Sequence, residues 1–226
     1  MKKIRKALFL INIVLALLAA AGYLHRMQQT YSMNAQETEQ PEKKKVALTF
    51  DDGPSPGYTE DLLEGLKERN VKATFFLIGK KAEANPELVR RISLEGHVIG
   101  NHSYSHINLG VLSDEKACEQ ISRTNQIICD ITGTAPQYLR SPFGSTHKNL
   151  DCKMDMIEVL WDVDPRDWDV QNTAKIVNRV LSKVQEGDII LLHDGYDTST
   201  AAAFQIIDTL EAEGYEFVTV DELLFD

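Results

Sequence analysis

From residue 46 onward, short apolar runs alternate with longer amphipathic ones, and nothing else in the chain constrains its fold as strongly. The runs are residues 46–50 (VALTF), 73–78 (ATFFLI), 97–100 (HVIG), 137–140 (QYLR), 157–161 (IEVLW), 188–193 (DIILLH) and 216–220 (EFVTV). Each is short and rich in branched or aromatic residues, as strands are. Between several of them lie segments with helix ends. Asn85 as N-cap and Pro86 open a helix near 86–95, and Gly96 follows it. Ser113 and Gly133 bracket 114–132, and two more run from Thr173 to Gly187 and between Thr200 and Gly214. Alternation of this kind implies parallel strands joined by right-handed crossovers. Seven strands in about 180 residues is lean for an eight-unit barrel. The expected fold is therefore α/β, a distorted or incomplete (β/α) barrel with about seven parallel strands, occupying residues 46–226.

Ahead of this body, MKKIRK is followed by the apolar segment 7–24, interrupted only by Asn12. A signal peptide carries about 7–15 apolar residues and a spanning helix roughly 17–25. The length favours a retained membrane anchor, and Ala19, Ala20 and Ala21 before Gly22 offer a cleavage site on the other reading. Either way the basic cluster Lys2, Lys3, Arg5, Lys6 stays in the cytoplasm and the rest is exported, so the expected location is extracytoplasmic. Residues 25–45 lack apolar periodicity and read as a polar linker.

Charge separates along the chain. Residues 1–45 hold eight Lys/Arg against three Asp/Glu, and the remainder holds sixteen against thirty-one. A body with a formal charge near −15 repels polyanions, which argues against nucleic acid and for a neutral or cationic substrate. Cys118 and Cys129 fall in one predicted helix about 16 Å apart, beyond disulfide reach. With no CxxC or Cys/His cluster, these two and Cys152 are expected as buried thiols.

The chemically unusual residues all follow strands: Asp51 and Asp52 in TFDDGP, His102 and His106 in HSYSH, Arg140 in RSPFG, Asp167 in DPRDW and His193 in LLHDG. Parallel barrels carry their sites at that end. If HSYSH coils into a turn, His102 and His106 come about 5–6 Å apart on one face. Two histidines and a carboxylate leave coordination positions open on a divalent cation. Two adjacent carboxylates are costly unless a cation or a proton waits for them. On an extended chain the neighbours point to opposite sides, so one can be a ligand while the other takes a proton from water. Read alone, DDGP is also an ordinary turn, and His193 is equally a core histidine. In the same strand Leu191 shares a face with His193. Arg140 and Asp167 offer fixed charges to hold a base and an acid, Trp168 an apolar wall, and the backbone N–H groups around Phe143 donors for an oxyanion.

Taken in order, TFDDGP, HSYSH, RSPFG, DPRDW and LLHDG resemble the polysaccharide deacetylase family, the NodB-type carbohydrate esterases, over essentially all of residues 46–226. The resemblance implies Asp51 as general base, Asp52, His102 and His106 as ligands of one divalent metal, and His193 as general acid. It implies Arg140 as the arginine that orients the base and Asp167 as the partner of the acid. Trp168 and Leu191 would wall the acetyl pocket, and the Phe143 backbone would face the oxyanion. Zinc is the expected metal, with cobalt, nickel or iron fitting the same ligands. The implied reaction removes acetyl from N-acetylated sugars, and tethering outside the membrane points to peptidoglycan N-acetylglucosamine. Chito-oligosaccharide or N-acetylmuramate deacetylation, xylan O-acetyl esterase activity and a non-catalytic glycan-binding role are the alternatives. Two departures from the family pattern are Phe143 in place of a common Tyr and Ser141 in place of a frequent Pro, the latter expected to loosen its loop.

Overall fold

The computed structural model describes residues 15, 17–29, 43–145, 152 and 155–225. They fall into two units, divided between Glu42 and Lys43. In the first, residues 15 and 17–29 are helical, and among the described residues no helix is long and apolar enough to cross a membrane. Residues 7–14 and 16 of the apolar segment, and 30–42 of the linker, lie outside the described residues.

The second unit holds the seven expected strands: β1 (Lys44–Asp51), β2 (Thr74–Leu77), β3 (Val98–Asn101), β4 (Tyr138–Leu139), β5 (Ile157–Glu158), β6 (Ile189–His193) and β7 (Tyr215–Val218). All pairings are parallel, in the order β5-β4-β3-β2-β1-β6. Ala47 pairs with both Ile189 and Val218, so β7 takes the start of the β1 edge that β2 takes from Thr49 on. The two ends of the curled sheet meet through one segment. Ile157 and Glu158 pair with β4, and five residues later Val163 bridges to Ile190 of β6. This is the expected distorted, incomplete barrel.

Strand alternation decides what faces inward. Leu48 and Phe50 of β1, Phe75 and Leu77 of β2, and Ile190 and Leu192 of β6 point outward into the main core. There they meet Leu62, Leu63 and Leu66 of α1 (Tyr58–Glu68), Val89 and Ile92 of α3 (Pro86–Leu94), and Ile206, Ile207 and Leu210 of α7 (Asp197–Ala212). Ala47, Phe76 and Ile189 belong instead to a smaller inner cluster. The same period of two turns Thr49, Asp51, Leu191 and His193 inward, toward the mouth where the strands end.

Helices α2 (Gly79–Ala84), α4 (Asp114–Thr132), α5 (Asp167–Val170), α6 (Thr173–Leu181) and α8 (Val220–Phe225) complete the unit. Of these, α1, α2, α5 and α8 lie outside the helices expected from sequence. Asn85 does precede α3, but its side chain does not cap it. Its Nδ2 donates 2.9 Å to the Lys81 carbonyl and closes the helix before.

The expectation of three buried thiols is corrected. Cys118 on α4 is bonded to Cys152, with Cα atoms 5.2 Å apart, and Cys129 alone is free and half-buried. The helix rise does separate Cys118 from Cys129. Cys152 comes from the segment before β5, which the sheet topology returns to α4, where it packs against Ala117, Ile121 and Leu139. Spacing along the chain carries no trace of that return. The bond closes a loop of 34 residues, so the variant Cys118→Ala should lose about 2–4 kcal/mol of unfolding free energy, and reductant should destabilise the wild type by a like amount. Urea unfolding with and without reductant measures both, and Cys129→Ala should leave the transition in place.

Candidate active site

Arg140 follows β4 and is fully buried, so its guanidinium must find partners inside the barrel. Nη1 donates to Asp51 Oδ1 at 2.8 Å and to Thr49 Oγ1 at 2.7 Å. Nε donates to the Val159 carbonyl at 3.0 Å and Nη2 to the Leu160 carbonyl at 2.9 Å. The guanidinium stacks 4.0 Å above the Phe76 ring. Burial lowers its pKa below the ordinary arginine value, and Asp51 pulls the other way. Thr49 in turn donates to the Ile190 carbonyl at 2.8 Å, which ties the arginine to β6.

Asp51 is thus held by one oxygen, and its other oxygen, Oδ2, stands 3.7 Å from His102 Nε2. The next residue turns elsewhere. Asp52 has φ 72°, so left-handed backbone, not the alternation of an extended strand, sends the two carboxylates apart. Asp52 Oδ1 lies 3.5 Å from His102 Nε2 and 3.2 Å from His106 Nε2. It is buried and has no hydrogen-bond partner.

His102 and His106 do come together, with ring centroids 5.0 Å apart. They do so without the helical turn on which the spacing argument depends. Ser103 and His106 both take left-handed backbone, at φ 60° and 54°. The loop is pinned by residues the motif reading missed. Asn101 Oδ1 accepts from Ser103 N, while its Nδ2 donates to the Ile121 carbonyl and Asn125 Oδ1. Gln120 accepts from Ser105 N and Oγ. His102 Nδ1 donates 2.7 Å to the Arg140 carbonyl; a carbonyl only accepts, so the proton sits on Nδ1 and the Nε2 lone pair faces Asp52. Burial lowers the His102 pKa, which favours the neutral ring that a metal requires. Ligand atoms of Asp52, His102 and His106 lie within 4.8 Å of one another. An orphaned carboxylate oxygen facing the Nε2 atoms of two histidines is a donor set that suits a divalent cation.

Beside Asp51 in the β1–β6 register, His193 ends β6 and donates Nδ1–H to Asp167 Oδ1 at 2.8 Å. Asp167 is fully buried at the start of α5, and its Oδ2 also accepts from His193 N at 2.7 Å and Ser199 Oγ at 2.6 Å. Ser199 carries no motif signal, being one of several hydroxyl residues at the start of α7. Burial works against a charged His193, but Asp167, with Asp51 and Asp52, outweighs it and the pKa is raised.

A cavity of about 390 Å³ opens on these groups, and Phe143, Trp161, Trp168, Leu191 and Tyr196 also line it. Leu191 is buried, whereas Trp168 and Phe143 are exposed. Phe143 has φ 62° and packs edge-on against His106, centroids 4.8 Å apart. Trp161 and Tyr196 were not among the expected site residues. Ser141 does not loosen its loop, since its Oγ donates 2.6 Å to Glu158 Oε1 and the residue is buried. Of the residues expected at the site, Asp51, Asp52, His102, His106, Phe143, Trp168, Leu191 and His193 line this cavity, and Arg140 and Asp167 lie buried behind it, bonded to Asp51 and His193.

Comparison with known proteins agrees with the motifs. Residues 38–156 match the family model for polysaccharide deacetylase. The chain is 43% identical over 195 residues to the peptidoglycan-N-acetylmuramic acid deacetylase PdaC of Bacillus subtilis, covering 86% of this chain and 42% of that protein. It is 40% identical over 180 residues to the peptidoglycan-N-acetylglucosamine deacetylase PgdA of Listeria monocytogenes, covering 80% and 39%. The chain thus spans about two fifths of the length of these relatives. The solved structure of Bacillus subtilis PdaC superposes with a TM-score of 0.78 at 44% identity, covering 81% of this chain and 91% of that one.

The raised His193 pKa has a consequence for stability. A group whose pKa rises on folding stabilises the fold below its ordinary value and loses that contribution as pH climbs through the raised one. The variant Asp167→Asn should therefore destabilise more at about pH 5 than at about pH 9, as read from urea unfolding at the two pH values. Equal losses at both would place the coupling elsewhere.

Proposed function

The chain belongs to the polysaccharide deacetylase family, and we propose that it is a metal-dependent N-deacetylase of cell-wall peptidoglycan, acting on N-acetylglucosamine residues and releasing acetate. The observation that carries this reading is the division of labour between Asp51 and Asp52. One is locked to a buried arginine with a free oxygen at the cavity, and the other meets two histidines.

In this reading Asp52, His102 and His106 hold the metal, zinc by ligand type, though cobalt, nickel or iron accepts such a set. When bound, the ion lowers the pKa of water toward about 7 and polarises the amide carbonyl. Asp51 takes the proton from the attacking water through Oδ2, its other oxygen kept in place by Arg140. Gly144 and Ser145 N–H groups already bond to the Ser141 and Pro142 carbonyls, so Phe143 supplies the turn's donor for the developing oxyanion. As the C–N bond breaks, His193 gives its Nε2 proton to the leaving nitrogen, while Asp167 stabilises the protonated ring beforehand. The products are acetate and a free amine. Leu191 and Trp168 enclose the acetyl methyl, and Trp161 adds apolar surface beside them.

Two features support action outside the cytoplasm: the basic and apolar N-terminus, which we propose as a membrane tether, and the Cys118–Cys152 bond, which persists in oxidising compartments. A second reading, deacetylation of N-acetylmuramic acid, is favoured by the 43% identity to a relative named for that activity.

Acetate release from purified glycan strands should depend on zinc and stop with chelator. The variant Asp51→Asn should lower kcat by about 10²–10⁴-fold while still binding zinc. Mass spectrometry of the digested product tells which sugar lost its acetyl group. No release under any metal, with glycan binding intact, would leave a binding role in place of an enzyme. In active protein, Asp167→Asn should also move the alkaline limb of the kcat/KM profile to lower pH, because its acid loses the carboxylate that raises its pKa.

A further inference from the structure

Asp194, the residue after His193, is buried yet has no part in the chemistry above. Its Oδ2 accepts from Thr59 Oγ1 at 2.5 Å, and that hydroxyl accepts in turn from Ser55 N at 2.7 Å. Ser55 Oγ donates to the Asp194 carbonyl at 3.2 Å, and Asp194 N donates to the Asp51 carbonyl at 2.8 Å. A Cβ at Gly53 would collide with the Asp194 carboxylate, so the glycine of DDGP is there to let this side chain in. From the other side, Lys81 Nζ on α2 donates to the Asp52 carbonyl at 2.7 Å and to Ser55 Oγ at 3.3 Å. Oδ1 of Asp194 is buried without a partner, and burial pushes the carboxyl up to about 6.

These bonds converge on one short stretch, residues 51–59, in which Asp52 is held at φ 72°. Left-handed backbone costs a non-glycine residue about 1–2 kcal/mol and persists only where the surroundings over-determine it. We propose that Asp194 is a positioning residue for the metal centre. Through Thr59 and Ser55 it clamps the loop that keeps Asp52 in its left-handed conformation, with its carboxylate aimed at His102 and His106. The inference rests on the metal-site reading above and adds a residue that touches neither metal nor substrate. A loop released from the clamp can relax to ordinary backbone, and Asp52 then swings away from the histidines.

The test is zinc affinity in the full chain, measured by competition with a chromophoric chelator, beside thermal unfolding of the metal-free proteins. The variant Asp194→Ala should bind zinc about 10–100-fold more weakly, and Thr59→Val should shift affinity the same way. Asp194→Asn, whose amide oxygen still accepts from Thr59, should stay within about threefold of wild type, a rescue that general loss of packing would not show. Zinc binding by Asp194→Ala equal to wild type overturns the clamp, and should that variant fail to fold, Thr59→Val decides in the same sense. If wild type itself binds no zinc, the metal centre falls and the clamp with it. Tight wild-type binding with unaltered variants removes the clamp alone.

Discussion

A guanidinium shut away from solvent joins the strands at the mouth of this barrel. Burying a charge costs several kcal/mol unless nearly every donor is met. Here four N–H groups of Arg140 reach the β1 residues Thr49 and Asp51 and the carbonyls of Val159 and Leu160, while its own backbone bonds to Asn101 and His102. Its flat face rests on Phe76 of β2. One side chain therefore reports on the relative placement of β1, β2, β3 and the segment that follows β5. Removing it would leave Asp51 buried without its cation, and the register of these elements without a common reference.

That pairing makes adjacent carboxylates tolerable. Asp51 and Asp52 would repel each other if both faced one small volume. The left-handed turn at Asp52 and the arginine behind Asp51 send the two charges to different partners. On the neighbouring strand, where His193 is the register partner of Asp51, the same logic repeats with opposite sign. Asp167, buried and given three donors, makes room for a proton on His193. Asp51 and His193 thus each belong to a buried charge pair, with Arg140 and with Asp167, at the inner-facing ends of paired strands.

Much of this was legible in the sequence, because it rests on local signals. Period-two alternation in IILLH puts Leu191 and His193 on one face, and polar residues after strands mark the rim. What escaped depends on groups far apart in the chain. Ser199 reaches Asp167 across 32 residues and Asn101 reaches Asn125 across 24, with side chains whose chemistry is commonplace. Cys152 finds Cys118 only because the sheet order returns its segment to α4. The i, i+4 spacing in HSYSH brings its histidines together only if the segment coils, whereas tertiary hydrogen bonds hold Ser103 and His106 in left-handed conformations that spacing does not encode.

Two of the three proposed ligands, Asp52 and His106, stand on left-handed backbone, as does Phe143 beside them. Such positions are unfavourable locally and are maintained by contacts made elsewhere. In this fold such contacts come from residues whose neighbours in sequence are proposed site residues: Asn101 precedes His102, Asp194 follows His193, and Arg140 supplies both a charge and a carbonyl. The strand that delivers a reactive side chain to the rim also delivers the next residue, which turns back to hold another loop. Strain at the site is thereby tied to the register of the sheet, and a parallel barrel, whose strands all end at one face, brings these paired duties together at one mouth.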